Sequence, residues 1–425
     1  MAVVECNDFF VSCERVFRRG LAGRPVVVLS NNDGCVVSRS AEAKRLGIRM
    51  GVPLFEVRER VRRHGVVVCS SNYALYGDFS QRIAGLLCEA APAVEVYSID
   101  ESFLDLTGLP AGELEAWCGD LSSRIRRWTG IPVLVGVGPT KTLAKLANRW
   151  AKKSSPAAGV FDLASHPDRT EPALRRTPLG GVWGIGHRWE RMLGGCGIRT
   201  ALELRDASDG WIRKRMGVTG LRTVLELRGL ACHEIESQPA PRQTVCHSRT
   251  FGRAVRDGRQ LHAAVASFAA RAADKLRSAG QVAGAVQVFV ASDRFRKEAP
   301  QHSAAAVSRF REPTSDSREA VRAAVGVLAA IRREGIAYRQ AGVLLLELSA
   351  ERERAPELFA AADSTSGALM RAVDRIRRRF GRDSLGWGFD RERDEGWRMR
   401  QERLSPRYTT RWRDLPAAVL RPSRN

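Results

Sequence analysis

The 425-residue chain has no C-x-x-C pair, and its nine cysteines are scattered and odd in number. That distribution argues against a disulfide framework and suits a reducing cytoplasm. Two Cys-His dipeptides, Cys232-His233 and Cys246-His247, lack the close ligand pairs of a zinc site. No apolar run reaches membrane-spanning length, and Glu5 and Asp8 interrupt the first apolar residues, so neither a spanning helix nor a signal peptide is expected. Gly136-Val137-Gly138-Pro139-Thr140-Lys141-Thr142 imitates a phosphate-binding loop but lacks the G-x-x-x-x-G-K spacing, which excludes an ATPase of that type. No internal repeat is visible. Acid is also in deficit, with 47 Asp and Glu against 69 Lys and Arg, for a formal net charge of +22. Arg and Lys recur in every segment, so a long contact path along a polyanion, most commonly nucleic acid, is expected rather than one basic tail.

The acids that are present stand in telling places. Asp100 and Glu101 follow the apolar run Val94-Glu95-Val96-Tyr97, and Glu5 ends another run, Ala2-Val3-Val4. Neighbours on a regular strand point to opposite faces, so Asp100 and Glu101 converge on one ion only where a strand gives way to a turn. Ser102-Phe103-Leu104-Asp105-Leu106 reads as the returning strand of a hairpin. A hairpin tip with two carboxylates and a third from another strand end is a cradle for Mg²⁺, which takes hard oxygen ligands and keeps water or phosphate in its shell. Two such ions can activate a hydroxyl and stabilise a leaving phosphate. Taken alone, an Asp-Glu pair at a hairpin tip is more often simply solvated.

Length allows two to four domains. A strand opens the chain, and the apolar spacing predicts a helix over Phe9–Phe17. Pro25–Leu29 is a buried strand by its β-branched run, and Asn31–Gly34 is a turn by composition. Helices are expected near Arg39–Leu46, Leu54–His64 and Phe79–Ala90, with a short strand at Val66–Cys69. The hairpin at Asp100, a helix over Leu114–Thr129 and a strand at Val133–Val137 complete a βαββαβ-like core. Residues 166–236 are helical and basic. Within them Val182-Trp183-Gly184-Ile185-Gly186 reads as the glycine turn of a helix-hairpin-helix, whose bare backbone can approach a phosphate. A Pro-rich linker at 237–243 leads to alternating strand and helix patterns over 244–348. Residues 349–425 are charged and irregular, with no assignable core.

Five blocks of sequence resemble one family: Asn31-Asn32-Asp33-Gly34-Cys35-Val36-Val37, Ala41-Glu42-Ala43-Lys44, Tyr97-Ser98-Ile99-Asp100-Glu101, Lys141 to Asn148, and Leu404 to Arg411. All are similar to the UmuC group of Y-family translesion DNA polymerases, and they run in family order along nearly the whole chain. The resemblance implies an α+β right-hand polymerase: a ferredoxin-like palm (1–20 and 75–165), small fingers (21–74), a helical thumb (166–236), an α/β little finger (244–348) and a C-terminal tail (349–425). It implies template-directed addition of dNTPs to a DNA primer with two Mg²⁺ ions, error-prone, in an SOS-type response to DNA damage.

By the same resemblance Glu5, Asp100 and Glu101 are the metal ligands, with Cys6 contributing only its backbone carbonyl. The family has Asp where this chain has Glu5. Phe10 falls on the steric-gate position under the sugar, with Phe9 beside it as core or pocket floor. Lys44 and Lys145 fall on triphosphate-contacting positions. Lys141 joins Lys145 and Asn148 on one helix face, and by itself reads as solvated. Gly184 and Gly186 are expected to contact DNA, as is Arg249 on the template. Leu358 and Phe359 keep the apolar plug of a clamp-binding peptide whose usual Gln is missing. Implied partners are primer-template DNA, a UmuD-like dimer, a RecA filament and the sliding clamp, in a cytoplasmic, nucleoid-associated setting. The competing reading is a non-catalytic member of the fold that binds DNA and recruits other polymerases.

Overall fold

The computed structural model describes residues 1–154, 159–238, 240–353, 364–381, 384–385 and 397–416. The chain forms two units: Met1–Ser30, Gly34–Pro239 and Arg403–Asn425 make the first, and Asn31–Asp33 with Ala240–Glu402 make the second.

In chain order the first unit holds β1 (Ala2–Cys6), α1 (Phe9–Phe17), β2 (Val26–Leu29), β3 (Val36–Arg39), α2 (Ala41–Arg45), α3 (Leu54–Arg63), β4 (Val67–Ser70), α4 (Tyr73–Ala90), β5 (Val94–Val96), β6 (Glu101–Leu104), α5 (Leu114–Thr129), β7 (Val133–Val137), α6 (Lys141–Ser154), β8 (Val160–Asp162), α7 (Thr170–Arg175), α8 (His187–Gly195), α9 (Ala201–Arg205) and α10 (Asp209–Leu227). A five-stranded sheet runs β5-β6-β1-β7-β8, and a three-stranded sheet runs β3-β2-β4. β1 is central and antiparallel to both neighbours, and every β7 residue is buried. That burial fits the continuous apolar run Val133-Leu134-Val135-Gly136-Val137, which has no polar alternation to give a solvent face.

α6 lies on β7 because β7 carries glycine where the helix crosses. A Cβ on Gly136 would stand 2.1 Å from the Asn148 amide nitrogen and 2.3 Å from the Ala144 carbonyl oxygen. On its other side α6 gives Leu143, Leu146 and Ala147 to a core shared with Leu174, Leu193, Leu204 and Val224 of the helical region that follows. The helical spacing alone places α6's lysine face in solvent. The structure differs: Lys141 and Asn148 are 3% and 1% exposed. Lys141 is satisfied by Glu95, reaching over from β5, and Asn148 donates to the Leu134 carbonyl.

The second unit holds β9 (Val245–Val255), α11 (Gly258–Ser278), β10 (Gln281–Ser292), β11 (Ser303–Thr314), α12 (Ser317–Ile331), β12 (Tyr338–Ala350) and α13 (Ser364–Phe380). Its sheet runs β11-β10-β12-β9, entirely antiparallel. The alanine-rich α11 buries Leu261, Phe268 and Leu276 against the sheet. Arg277 ties the C-terminal end of α11 to α13 through Asp374 and to its own helix through Asp274.

Two boundaries and one region depart from the sequence expectation. α4 begins at Tyr73, six residues before Phe79, because Asn72 caps it by accepting from the Leu75 amide. β3 precedes α2, where the sequence pattern suggests only a helix. The C-terminal region contributes to both cores: Trp397 is buried in that of the second unit and Tyr408 packs against that of the first.

Candidate active site

β1 and β6 are hydrogen-bonded neighbours, and their register sets Glu5 directly opposite Glu101. Directly opposed residues share a sheet face with Cβ atoms about 4.5–5.5 Å apart, and two like charges there repel. The structure relieves that repulsion with cations from α6. Lys145 Nζ lies 2.5 Å from Glu101 Oε2, and Lys152 Nζ lies 2.5 Å from Glu5 Oε1. Lys145 also sits over the Tyr97 and Phe103 rings, 5.1 and 5.6 Å from their centroids. Asp100 is in the turn just before β6, where the hairpin pattern puts it. Its carbonyl accepts the Cys6 amide at 2.8 Å, and its Oδ1 accepts the Ser98 hydroxyl at 2.8 Å. Burial, then the nearby Asp100, Glu5 and Glu101 charges, push the Cys6 thiol far above its ordinary range. It stays a protonated core residue.

The donor chemistry fits a divalent cation: two hard carboxylates face each other and already attract two ammonium groups. The three expected ligands are not gathered into one cage. Among the described residues no group of three or more His, Cys, Asp or Glu is close enough to hold a metal ion. Glu5 and Glu101 are the pair that fits, with Asp100 alongside in the turn.

The helix that follows β1 carries one side of an aromatic stack. Phe9 is 3% exposed and belongs to the core. Phe10, next in α1, is half-buried and stacks on Tyr76 of α4 with ring centroids 4.4 Å apart and planes 13° from parallel. Tyr73 meets the Phe10 ring edge-on at 5.9 Å. The Tyr76 hydroxyl donates to Glu14 Oε1 at 2.8 Å. Glu14 is fully buried, and burial outweighs its hydrogen bonds to raise its carboxyl above the usual range. Asp8 stands where an acid would serve the α1 N-terminus. It adopts φ 47° without a capping side-chain bond, and its Oδ1 instead takes the exposed Lys44 ammonium at 2.5 Å.

The comparisons with known proteins bear on this arrangement. Residues 4–149 match the impB/mucB/samB family and residues 242–358 its C-terminal domain. Residues 367–418 match a domain of unknown function, DUF4113. Protein UmuC of Salmonella typhimurium (strain LT2) is 44% identical over 97% of this chain and 99% of its own length. Protein ImpB of Salmonella typhimurium is 43% identical over 99% of both. The chain belongs to the impB/mucB/samB family. More distantly, a protein named DNA polymerase IV from Moorella thermoacetica is 29% identical over 89% of this chain and 92% of its own length. A solved Y-family DNA polymerase chimera of Dbh and Dpo4 aligns over 82% of this chain and all of its own, with 23% identity and a TM-score of 0.64. The fold is that of the Y-family polymerases.

The remaining expected positions of this impB/mucB/samB member fall as follows. Gly184 takes φ +86°, and Gly186 caps α8 in an extended conformation with open space where a Cβ would be. Arg249 shares a β9 face with the buried Val245 and Phe251, which is the face covered by α11. Burial and Arg271 both lower its pKa. His247 lies on that same face against the Phe268 ring. Leu358 and Phe359 lie outside the described residues. Sequence reasoning missed Glu14 and Ser405, which meet Tyr76 in one buried network. The only sequence hint was a glutamate at an apolar position of its helix.

Proposed function

We propose that this chain is a translesion DNA polymerase that adds dNTPs to a DNA primer under template direction, in an SOS-type damage response. The observation that carries this reading is the pairing of Glu5 with Glu101 on one sheet face, with Asp100 in the adjoining turn, in a Y-family fold. The five-stranded sheet serves as the palm, the three-stranded sheet and its helices as the fingers, α7–α10 as the thumb and the second unit's sheet as the little finger. Mg²⁺ ions bound at Glu5, Asp100 and Glu101, with the Cys6 carbonyl, would supply charge neutralisation and activation of the primer hydroxyl.

The chain's own residues do the rest. Lys145 and Lys152 neutralise the carboxylates and would be available to phosphate with Mg²⁺ bound at Glu5 and Glu101. Lys44 presents an exposed ammonium from the fingers. Phe10 offers a flat ring, backed by Tyr76, under the deoxyribose. Lys141 is a positioning residue, since its ammonium is spent on Glu95. Glycines 184 and 186 leave the thumb backbone open to a DNA phosphate. Arg249, half-buried on the helix side, orders the little finger's basic edge. Leu358 and Phe359 are assigned to a sliding clamp, and a UmuD-like dimer and a RecA filament are the remaining partners.

The test is Mg²⁺-dependent primer extension by the full chain with wild type, Asp100→Ala and Glu101→Ala. Extension by wild type and none by the two variants, with primer-template binding kept, is expected. A wild type that binds DNA but never extends a primer supports the non-catalytic alternative instead.

A further inference from the structure

The segment Arg403–Tyr408 is held against the first unit as a short strap. The Ser70 amide donates to the Arg403 carbonyl at 3.0 Å, and the Arg403 amide returns a bond to Ser70 Oγ at 2.9 Å. Among the described residues Asn72 Nδ2 then donates only into the strap: to Ser405 Oγ at 2.9 Å and to the Ser405 and Pro406 carbonyls at 3.1 Å each. The other end of the same amide, Oδ1, caps α4. Ser405 Oγ donates to Glu14 Oε1 at 2.8 Å, the same oxygen that takes the Tyr76 hydroxyl. Tyr408 stacks on Phe17 at 4.5 Å and 15°. Asn72, Glu14 and Tyr76 are each at most 2% exposed.

Two links therefore join the strap to the Phe10 ring. One passes through Asn72 to the first turn of α4, which carries Tyr73 and Tyr76. The other passes through Glu14 to the Tyr76 hydroxyl. Buried polar groups need their partners, and water cannot replace the strap without entering the core. With the strap gone, Asn72 Nδ2 loses every acceptor it has here, and Glu14 keeps one of its two hydroxyl donors. Tyr76 would then be free to tilt, and its tilt is transmitted directly because Phe10 lies flat upon it.

We propose that the Arg403–Tyr408 strap is a positioning element of the nucleotide pocket, and that Ser405 and Asn72 set sugar discrimination by holding Tyr76, and through it Phe10, in place. This rests on the assignment of Phe10 as the ring under the sugar. It gives a role to a segment inside the DUF4113 match, whose function is unknown.

The experiment measures kcat/KM for a dNTP and for the matching rNTP with full-length Ser405→Ala, Tyr76→Phe, Phe10→Ala and the Ser405→Ala/Phe10→Ala double variant. General damage lowers both nucleotides alike and leaves their ratio unchanged. The strap account expects Ser405→Ala and Tyr76→Phe each to lower the dNTP/rNTP ratio about threefold or more. It expects Ser405→Ala to add nothing once Phe10 is alanine, since contacting groups couple. If Ser405→Ala does not fold, Tyr76→Phe alone decides, because it removes only one hydroxyl. A collapsed ratio in Phe10→Ala with unchanged ratios in Ser405→Ala and Tyr76→Phe overturns the strap account and leaves the gate standing. An unchanged ratio in Phe10→Ala overturns both. If wild type incorporates nothing, equilibrium affinities of the primer-template complex for dNTP and rNTP supply the same ratio, and the same changes in it support or overturn the strap.

Discussion

The resemblance to the UmuC group implies an aspartate where this chain has Glu5, a single methylene longer, and the consequence is geometric. Glutamate reaches about 1.5 Å further, one carbon–carbon bond, while magnesium holds oxygen at about 2.0–2.1 Å. Glu5 faces a second glutamate of equal length across the β1–β6 register. Its carboxylate meets Lys152, about two turns along α6 from Lys145. Single-turnover nucleotide addition should be faster in Glu5→Asp, because in-line transfer suffers from misplacements of about 1 Å. A slower Glu5→Asp enzyme would show that the site has adapted to the longer acid. A second residue-scale prediction concerns His247. Burial first, and then Lys275, Arg249 and Arg271, depress its pKa to about 3. Among the described residues its buried Nε2 has no hydrogen-bond partner. In the unfolded chain the ring titrates near pH 6.5. Between those values the unfolded state binds the proton and the folded state does not, so stability is lost as pH falls from about 6.5 toward 3. His247→Leu should lose fewer degrees of Tm than wild type between pH 7 and pH 5, measured on the full chain by thermal unfolding. Equal losses would mean that this histidine is not held neutral.

At the scale of elements, the packing of α6 on β7 is set by missing side chains. Gly136→Ala puts a methyl group where backbone stands at 2.1 Å, and neither strand nor helix can yield without opening the sheet. A loss of about 3 kcal/mol or more is expected in denaturant unfolding, the upper range for overpacking; a loss under about 1 kcal/mol would mean the helix shifts freely. Elements whose physics is local were legible in the sequence. α1, α5 and β7 fall at Phe9–Phe17, Leu114–Thr129 and Val133–Val137, where apolar periodicity and flanking turns place them. The carboxylate turn at Asp100 was legible for the same reason. What escaped notice depends on distant partners. The first turn of α4 has little apolar spacing, and its cap, Asn72, is fixed by a strap 333 residues away. Lys141 looked solvated because nothing in its own helix announces Glu95. Ser405 sits in a segment without periodicity, so no pattern could mark it as buried.

Across the whole molecule, charge is the property that composition reported and folding preserved. The excess of +22 is carried on both units, and among the described residues no helix is long and apolar enough to cross a membrane. Primer-template affinity should therefore fall by about 10³-fold or more between 50 and 200 mM salt, as several phosphate contacts release counterions. A flat dependence, read by fluorescence anisotropy, would contradict an extended DNA path. The central claim is that the Glu5–Glu101 pair and Asp100 form the catalytic centre of a DNA polymerase. Primer extension by wild type, Asp100→Ala and Glu101→Ala at matched, saturating primer-template tests it most directly. Template-directed extension by wild type is expected only with Mg²⁺, and none by either variant. Extension by Glu101→Ala at the wild-type rate, or a wild type that binds primer-template and adds no nucleotide, would contradict it.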